Sequence, residues 1–159
     1  MSKKIYIDFS YLIILAASFG AVIVLGAIVA PVIFNPNKHL VDITLDHYNS
    51  GIIMSEVFHR FSYWTYFIAG MVVLYEGYMY KIGKRDSIIL ASSVSVVFSS
   101  LMFSNIYIPK ILSMQAVGVE ATQSVTFENI HKASELDFKI LAVALLVLFI
   151  RRLMLLRTT

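Results

Sequence analysis

The sequence predicts an all-α polytopic membrane protein, a four-transmembrane-helix bundle with both termini in the cytoplasm. Three observations predict it. Of the 159 residues, 58% are hydrophobic and only 14% charged, against about 25% charged in an ordinary soluble domain. A small soluble domain leaves much of its area wet and cannot hide so much apolar surface, whereas a lipid solvent removes that difficulty. Long apolar stretches recur along the chain, and the basic residues between them collect on one side. Residues 1–159 read as a single integral membrane domain, with no internal repeat and no low-complexity segment.

The first span covers Phe9–Phe34 and carries no charged side chain. About 20 apolar residues cross roughly 30 Å of hydrocarbon. Lys3 and Lys4 precede it, but the apolar run exceeds the about 7–15 residues of a signal h-region and no A-x-A site follows, so an uncleaved span is expected. Pro31 should bend or end this helix at its outer end. The second span occupies Phe61–Tyr80, in a helix starting near residue 55, with Glu76 as its one charge within the membrane. The third, Ser87–Ile108, is uncharged. The fourth, Phe138–Leu156, lies in a helix starting near residue 130, where Lys139, Arg151 and Arg152 interrupt the apolar run. The two arginines are expected to snorkel to the inner surface.

Charge sets the orientation, because Lys and Arg are retained in cytoplasmic flanks. Lys3, Lys4, Lys81, Lys84, Arg85, Arg151, Arg152 and Arg157 fall on one side of a four-span arrangement. Lys38, Arg60, Lys110, Lys132 and Lys139 fall on the other, with most of the acids. An odd number of spans would put the Arg-rich tail on the wrong side. Tyr63, Trp64 and Tyr66 at one end of the second span, with Tyr75, Tyr78 and Tyr80 at the other, mark two interfaces.

Small residues four apart in spans one and three, such as Ala16/Gly20 and Ala91/Ser95, let helices approach closely in lipid. Packing within the bundle is the simplest use; a homo-oligomer or another membrane protein is the other. Asn35–Gly51 reads as an outer loop with turn residues at Pro36, Asn37, Asn49 and Gly51. Pro109–Val117 reads as an amphipathic continuation of the third helix. Thr126, followed by Glu128, opens a helix that runs toward span four.

The chain has no cysteine, which excludes disulfides, thiolate catalysis and Cys-ligated metal. A formal charge of +3, dispersed along the chain, gives no footprint for nucleic acid, and no phosphate-binding glycine loop or nucleophile elbow appears. His39, His47, His59 and His131 all fall at the outer side. Glu56 and His59 share one helical face, continued by Tyr63, and His131 and Glu135 share another. Glu-x-x-His pairs ligate metals in helix bundles; an interfacial polar cluster is the plainer use of the same residues. Imidazole with carboxylate suits a divalent metal such as Zn or Fe, and haem would need His59 and His131 to face each other. Glu76, an intramembrane charge, is expected to pair with Lys81, Lys84 or Arg85, with no second buried carboxylate to form a relay.

Four stretches, taken in order, resemble the DUF4149 / TMEM205-like membrane proteins. They are Gly26–Phe34 with its Ala-Pro-Val-Ile-Phe ending, Ser50–Phe58, Ile108-Pro109-Lys110-Ile111, and Phe127–Asp137. The resemblance implies a four-helix membrane bundle and no settled activity. Pro31, Phe34, Gly51, Phe58, His131 and Ser134 sit at the matching positions. At Asp137 the family pattern carries Asn, so here the acceptor is kept and a charge is added.

The expected function is binding or transport of a small solute or metal ion by an inner-membrane protein, through an outward-facing site of Glu56, His59, His131 and Glu135. Tyr63, Ser134 and Asp137 would lend polar support, and Pro31 and Gly51 structure. The alternatives are a non-catalytic structural or assembly subunit of a membrane complex and a haem-binding redox protein. An enzyme ranks last, since no nucleophile or acid–base constellation stands out beyond the histidines.

Overall fold

The computed structural model describes residues 3–36 and 45–157, almost all of them helical and none in a strand. Four long rods lie side by side. The first is built from α1 (Lys3–Ile23), a π-helical segment (Val24–Val29) and α2 (Ala30–Phe34). The second is α3 (His47–Lys81). The third joins α4 (Ser87–Met102), a second π-helical segment (Phe103–Tyr107) and α5 (Ile108–Val117). A short helix, α6 (Val119–Thr122), leads to the fourth rod, α7 (Val125–Arg157). As the sequence predicts, α5 continues the third rod and α7 runs unbroken.

The first and third rods share a device. In each, the residue before a proline donates its N–H five residues back, Ala30 to the Leu25 carbonyl and Ile108 to the Phe103 carbonyl. A proline ring clashes with the carbonyl four residues back and supplies no N–H. The widened turn moves that carbonyl aside, so Pro31 and Pro109 are taken into the rods without ending them.

The ends are set by local chemistry. Asp46 caps α3 by accepting from the Asn49 N–H at 2.7 Å, and Asp86 caps α4 by accepting from Ile88 and Ile89, both at 3.0 Å. Both caps satisfy N–H groups that the first turn leaves unpaired. Gly83 (φ 86°) closes α3, with Lys84 N–H donating to the Met79 carbonyl and Gly83 N–H to the Tyr80 carbonyl. That pairing needs a left-handed residue, and glycine takes the conformation at no steric cost. Gly118 (φ 125°) separates α5 from α6.

Contacts fix the directions. Asp8 meets Tyr75 and Ser18 meets Trp64, so α1 runs antiparallel to α3. Arg151 reaches Asp86 while Ser99 lies against Asp137, so α7 runs antiparallel to α4. The core is filled by Leu15, Ile68, Val72, Val96, Leu141, Leu145 and Leu148. Two continuous helices, Ile5–Phe34 and Ser87–Val117, are long and apolar enough to cross a bilayer. The apolar run of α7 lies between Lys139 and Arg151, and that of α3 is diluted by tyrosines.

Candidate functional site

At one end of the rods the sequence-predicted residues form local pairs. Glu56 accepts from Arg60 Nε at 2.7 Å, one turn on. His59 packs instead against the Tyr63 ring, 5.7 Å between centroids. The Arg60 guanidinium is a permanent cation with a planar fork of donors that matches a carboxylate, which is why Arg60 takes Glu56. On α7, His131 Nε2 stands 3.4 Å from Glu135 Oε1, Lys139 Nζ is 3.8 Å from the other oxygen, and the imidazole stacks on Phe127. Glu128 pairs with Lys132 at 2.5 Å, which holds its carboxyl below the usual range. Among the described residues no three His, Asp or Glu side chains are grouped closely enough to hold a metal ion. His47 packs on Phe34; His39 lies outside the described residues. Gly51 lies beside Gln115, whose amide nitrogen would stand in ordinary contact, 3.5 Å, with an added Cβ, while the Tyr48 hydroxyl donates to the Gln115 backbone carbonyl at 2.8 Å.

At the opposite end α1, α3, α4 and α7 converge on a charged network. Glu76 and Arg152 form a bidentate pair. This corrects the expectation for both. Lys81 lies five residues beyond Glu76, well round the helix from it, whereas α7 brings Arg152 directly alongside, and Arg152 turns inward rather than snorkelling. Its guanidinium lies 5.3 Å from the centre of the Tyr75 ring. Tyr75 donates to Asp8 at 2.7 Å and stacks on Tyr11 at 3.8 Å. The Tyr11 hydroxyl is buried against the Glu76 carboxylate. Beside this network Arg151 donates two hydrogen bonds to Asp86, at 3.0 and 2.6 Å. These bonds first, then the Ile89 N–H, hold the Asp86 carboxyl below its usual range.

Between the two ends α4 lays down serines. Ser92 and Ser93 donate to backbone carbonyls one turn back, which lets hydroxyls sit in an apolar core at low cost. Ser104 meets Thr65 at 2.5 Å, and Tyr66 donates to Asn105 at 2.7 Å. Asp137 is the exception. Its Oδ2 is buried with no partner, with Ser99 against the carboxyl as its hydrogen-bonding neighbour. Ser134, one turn earlier, is buried and donates to the His131 carbonyl. The Ser100 hydroxyl is also buried and unpaired. Asp8, Glu76, Asp137 and Arg152 are each only 6–8% exposed, so the core holds three carboxylates and one guanidinium.

Residues 13–120 match the sequence model of a domain of unknown function, DUF4149. The chain belongs to the DUF4149 family. No curated protein and no solved structure matches it. In this DUF4149 chain the matched region holds both proline turns, Gly51, Glu56, His59 and Glu76, and it ends before His131, Ser134 and Asp137.

Sequence reasoning missed Asp8 and the depth of Asp137. Asp8 reads as part of a wet tail beside Lys3 and Lys4. The one available signal was its spacing from Tyr11, which puts both on the face that meets α3.

Proposed function

We propose that this DUF4149 chain is a four-span inner-membrane protein with both termini in the cytoplasm, which binds or transports a small cation or hydrogen-bond-donating solute from the outer side. The span count is supported by length and by surface. At 1.5 Å per residue, α3 and α7 measure about 50 Å, enough to cross a bilayer of about 30 Å. Every rod also carries large apolar side chains that the protein leaves exposed, among them Ile13, Leu74, Phe98 and Val143, as lipid-facing helices require. Cysteines introduced at positions 45 and 120 of this Cys-free chain should be modified by an impermeant maleimide only from outside. Modification only from the cytoplasmic side would reverse the orientation.

The binding reading is carried by Asp137. A carboxylate oxygen buried without a donor costs free energy, and a ligand that supplies a positive charge or an N–H removes that cost. His131, Ser134 and Glu135 stand above it on α7 as the outer approach, so the proposed site lies deeper than the His/Glu pairs suggested by spacing. Thermal unfolding of the detergent-purified protein with added ZnCl2, MgCl2, NaCl or ethylammonium tests it. At a hundred times its Kd, a ligand of the folded state adds about 2.7 kcal/mol. At least one probe should raise the Tm of the parent protein and leave Asp137→Asn unmoved. No shift with any probe, or equal shifts in both proteins, would refute the reading.

A further inference from the structure

A cavity of about 280 Å³ opens between α3, α4 and α7 beside the Glu76–Arg152 pair. Its wall holds two acids and two bases, Glu76, Asp86, Lys84 and Arg152. The acids are committed, Glu76 to Arg152 and Asp86 to Arg151. The Lys84 ammonium has no hydrogen bond or ion pair among the described residues. Tyr80, also in the wall, carries the Arg85 guanidinium 4.7 Å above its ring, and Arg85 has no carboxylate partner among the described residues. The left-handed turn at Gly83 folds both cations back over the end of α3. On the side facing away from the core the wall turns apolar at Leu90, which is exposed. Counting Lys81 among the bases and the buried Asp8 among the acids, five bases at this end outnumber three acids by two.

We propose that this cavity binds the phosphodiester headgroup of an anionic phospholipid from the inner leaflet. Lys84 and Arg85 would meet the phosphate oxygens, and an acyl chain would leave along Leu90. Basic pockets between helices at the cytoplasmic side suit such headgroups, and the carboxylates present do not repel one because their charge is already matched. The site adds to the reading above and takes from it only the leaflet. Lipid retention in detergent involves no leaflet, so failure here and failure of the cysteine labelling are distinguishable.

The experiment is native mass spectrometry of the detergent-purified full chain with graded phosphatidylglycerol or phosphatidylcholine. Phosphatidylglycerol should be retained preferentially. At about five-fold per basic residue, the double variant Lys84→Gln/Arg85→Gln should lose about 25-fold. Both side chains are exposed, and circular dichroism checks that the variant folds. Lys132→Gln, a basic residue at the far end, should lose nothing. Equal retention of the two lipids, undiminished retention in the double variant, or an equal loss in Lys132→Gln would overturn the proposal. So would displacement of phosphatidylglycerol by millimolar inorganic phosphate, which would make the cavity a free-anion site.

Discussion

Arg152→Ala is expected to be among the most damaging single changes in the protein, costing about 3–5 kcal/mol as breaking a buried ion pair does. The reason is what remains. Glu76 would be left in a core flanked by Tyr11 and Tyr75 with no cation to face, and an unpaired buried carboxyl costs free energy whether it stays charged or takes up a proton. The substitution also removes the guanidinium that lies over Tyr75, and with it a cation–π contact. Arg152→Lys should recover only part of the loss, because an ammonium cannot make the two parallel bonds. Replacing both partners with apolar residues, Glu76→Leu with Arg152→Met, should recover most of it, since the pair spends much of its attraction on its own desolvation. Arg151→Ala, whose pair with Asp86 is more exposed, should cost about 1 kcal/mol or less. Unfolding in mixed micelles followed by circular dichroism measures all four. If Arg152→Ala fell no further than Arg151→Ala, the buried pair would not be what holds α3 to α7.

This pair also marks the limit of what one sequence shows. Within a rod the 3.6-residue period makes neighbours legible, so the His131–Glu135 contact, the continuation through Pro109 and the unbroken α7 follow from spacing alone. Glu56 fails that test instructively, for its face holds two candidates and the charged Arg60 wins over His59. Between rods the register decides. Glu76 and Arg152 are 76 residues apart, and no local pattern joins them. One clue was present in the chain: each lies five residues before a basic helix end, at Lys81 and Arg157, so the two sit at the same depth below the same face. Matching charges by depth rather than by distance along the chain would have found the pair. No such rule finds Asp137, because the spacing that places it near Ser134 leaves open whether it faces lipid, water or α4.

The second large effect is expected at Phe138, one residue beyond that carboxylate. Its ring contacts Phe103 at 5.2 Å, Phe58 at 5.3 Å and Phe61 at 6.0 Å between centroids. On the first rod, a Cβ at Gly26 would stand 3.7 Å from Phe138 Cε1. Four rods therefore meet at one side chain. In a water-soluble core, Phe→Ala costs about 3–5 kcal/mol from lost transfer and the cavity left behind. A lipid solvent removes part of the transfer contribution but leaves the cavity and the lost edge contacts, each aromatic pair being worth about 0.5–1.5 kcal/mol. Phe138→Ala should therefore cost about 3 kcal/mol, and Gly26→Ala, which makes an ordinary contact, should cost little. The two neighbours should also be coupled. Emptying the Phe138 site opens space beside Asp137 that water can enter and hydrogen-bond. Asp137→Asn should consequently change stability less in the Phe138→Ala background than in the parent protein, by about 0.5 kcal/mol or more, as residues sharing a cavity do. Denaturant unfolding of the four proteins of that cycle decides it: strict additivity would mean that Phe138 does not keep the Asp137 pocket dry.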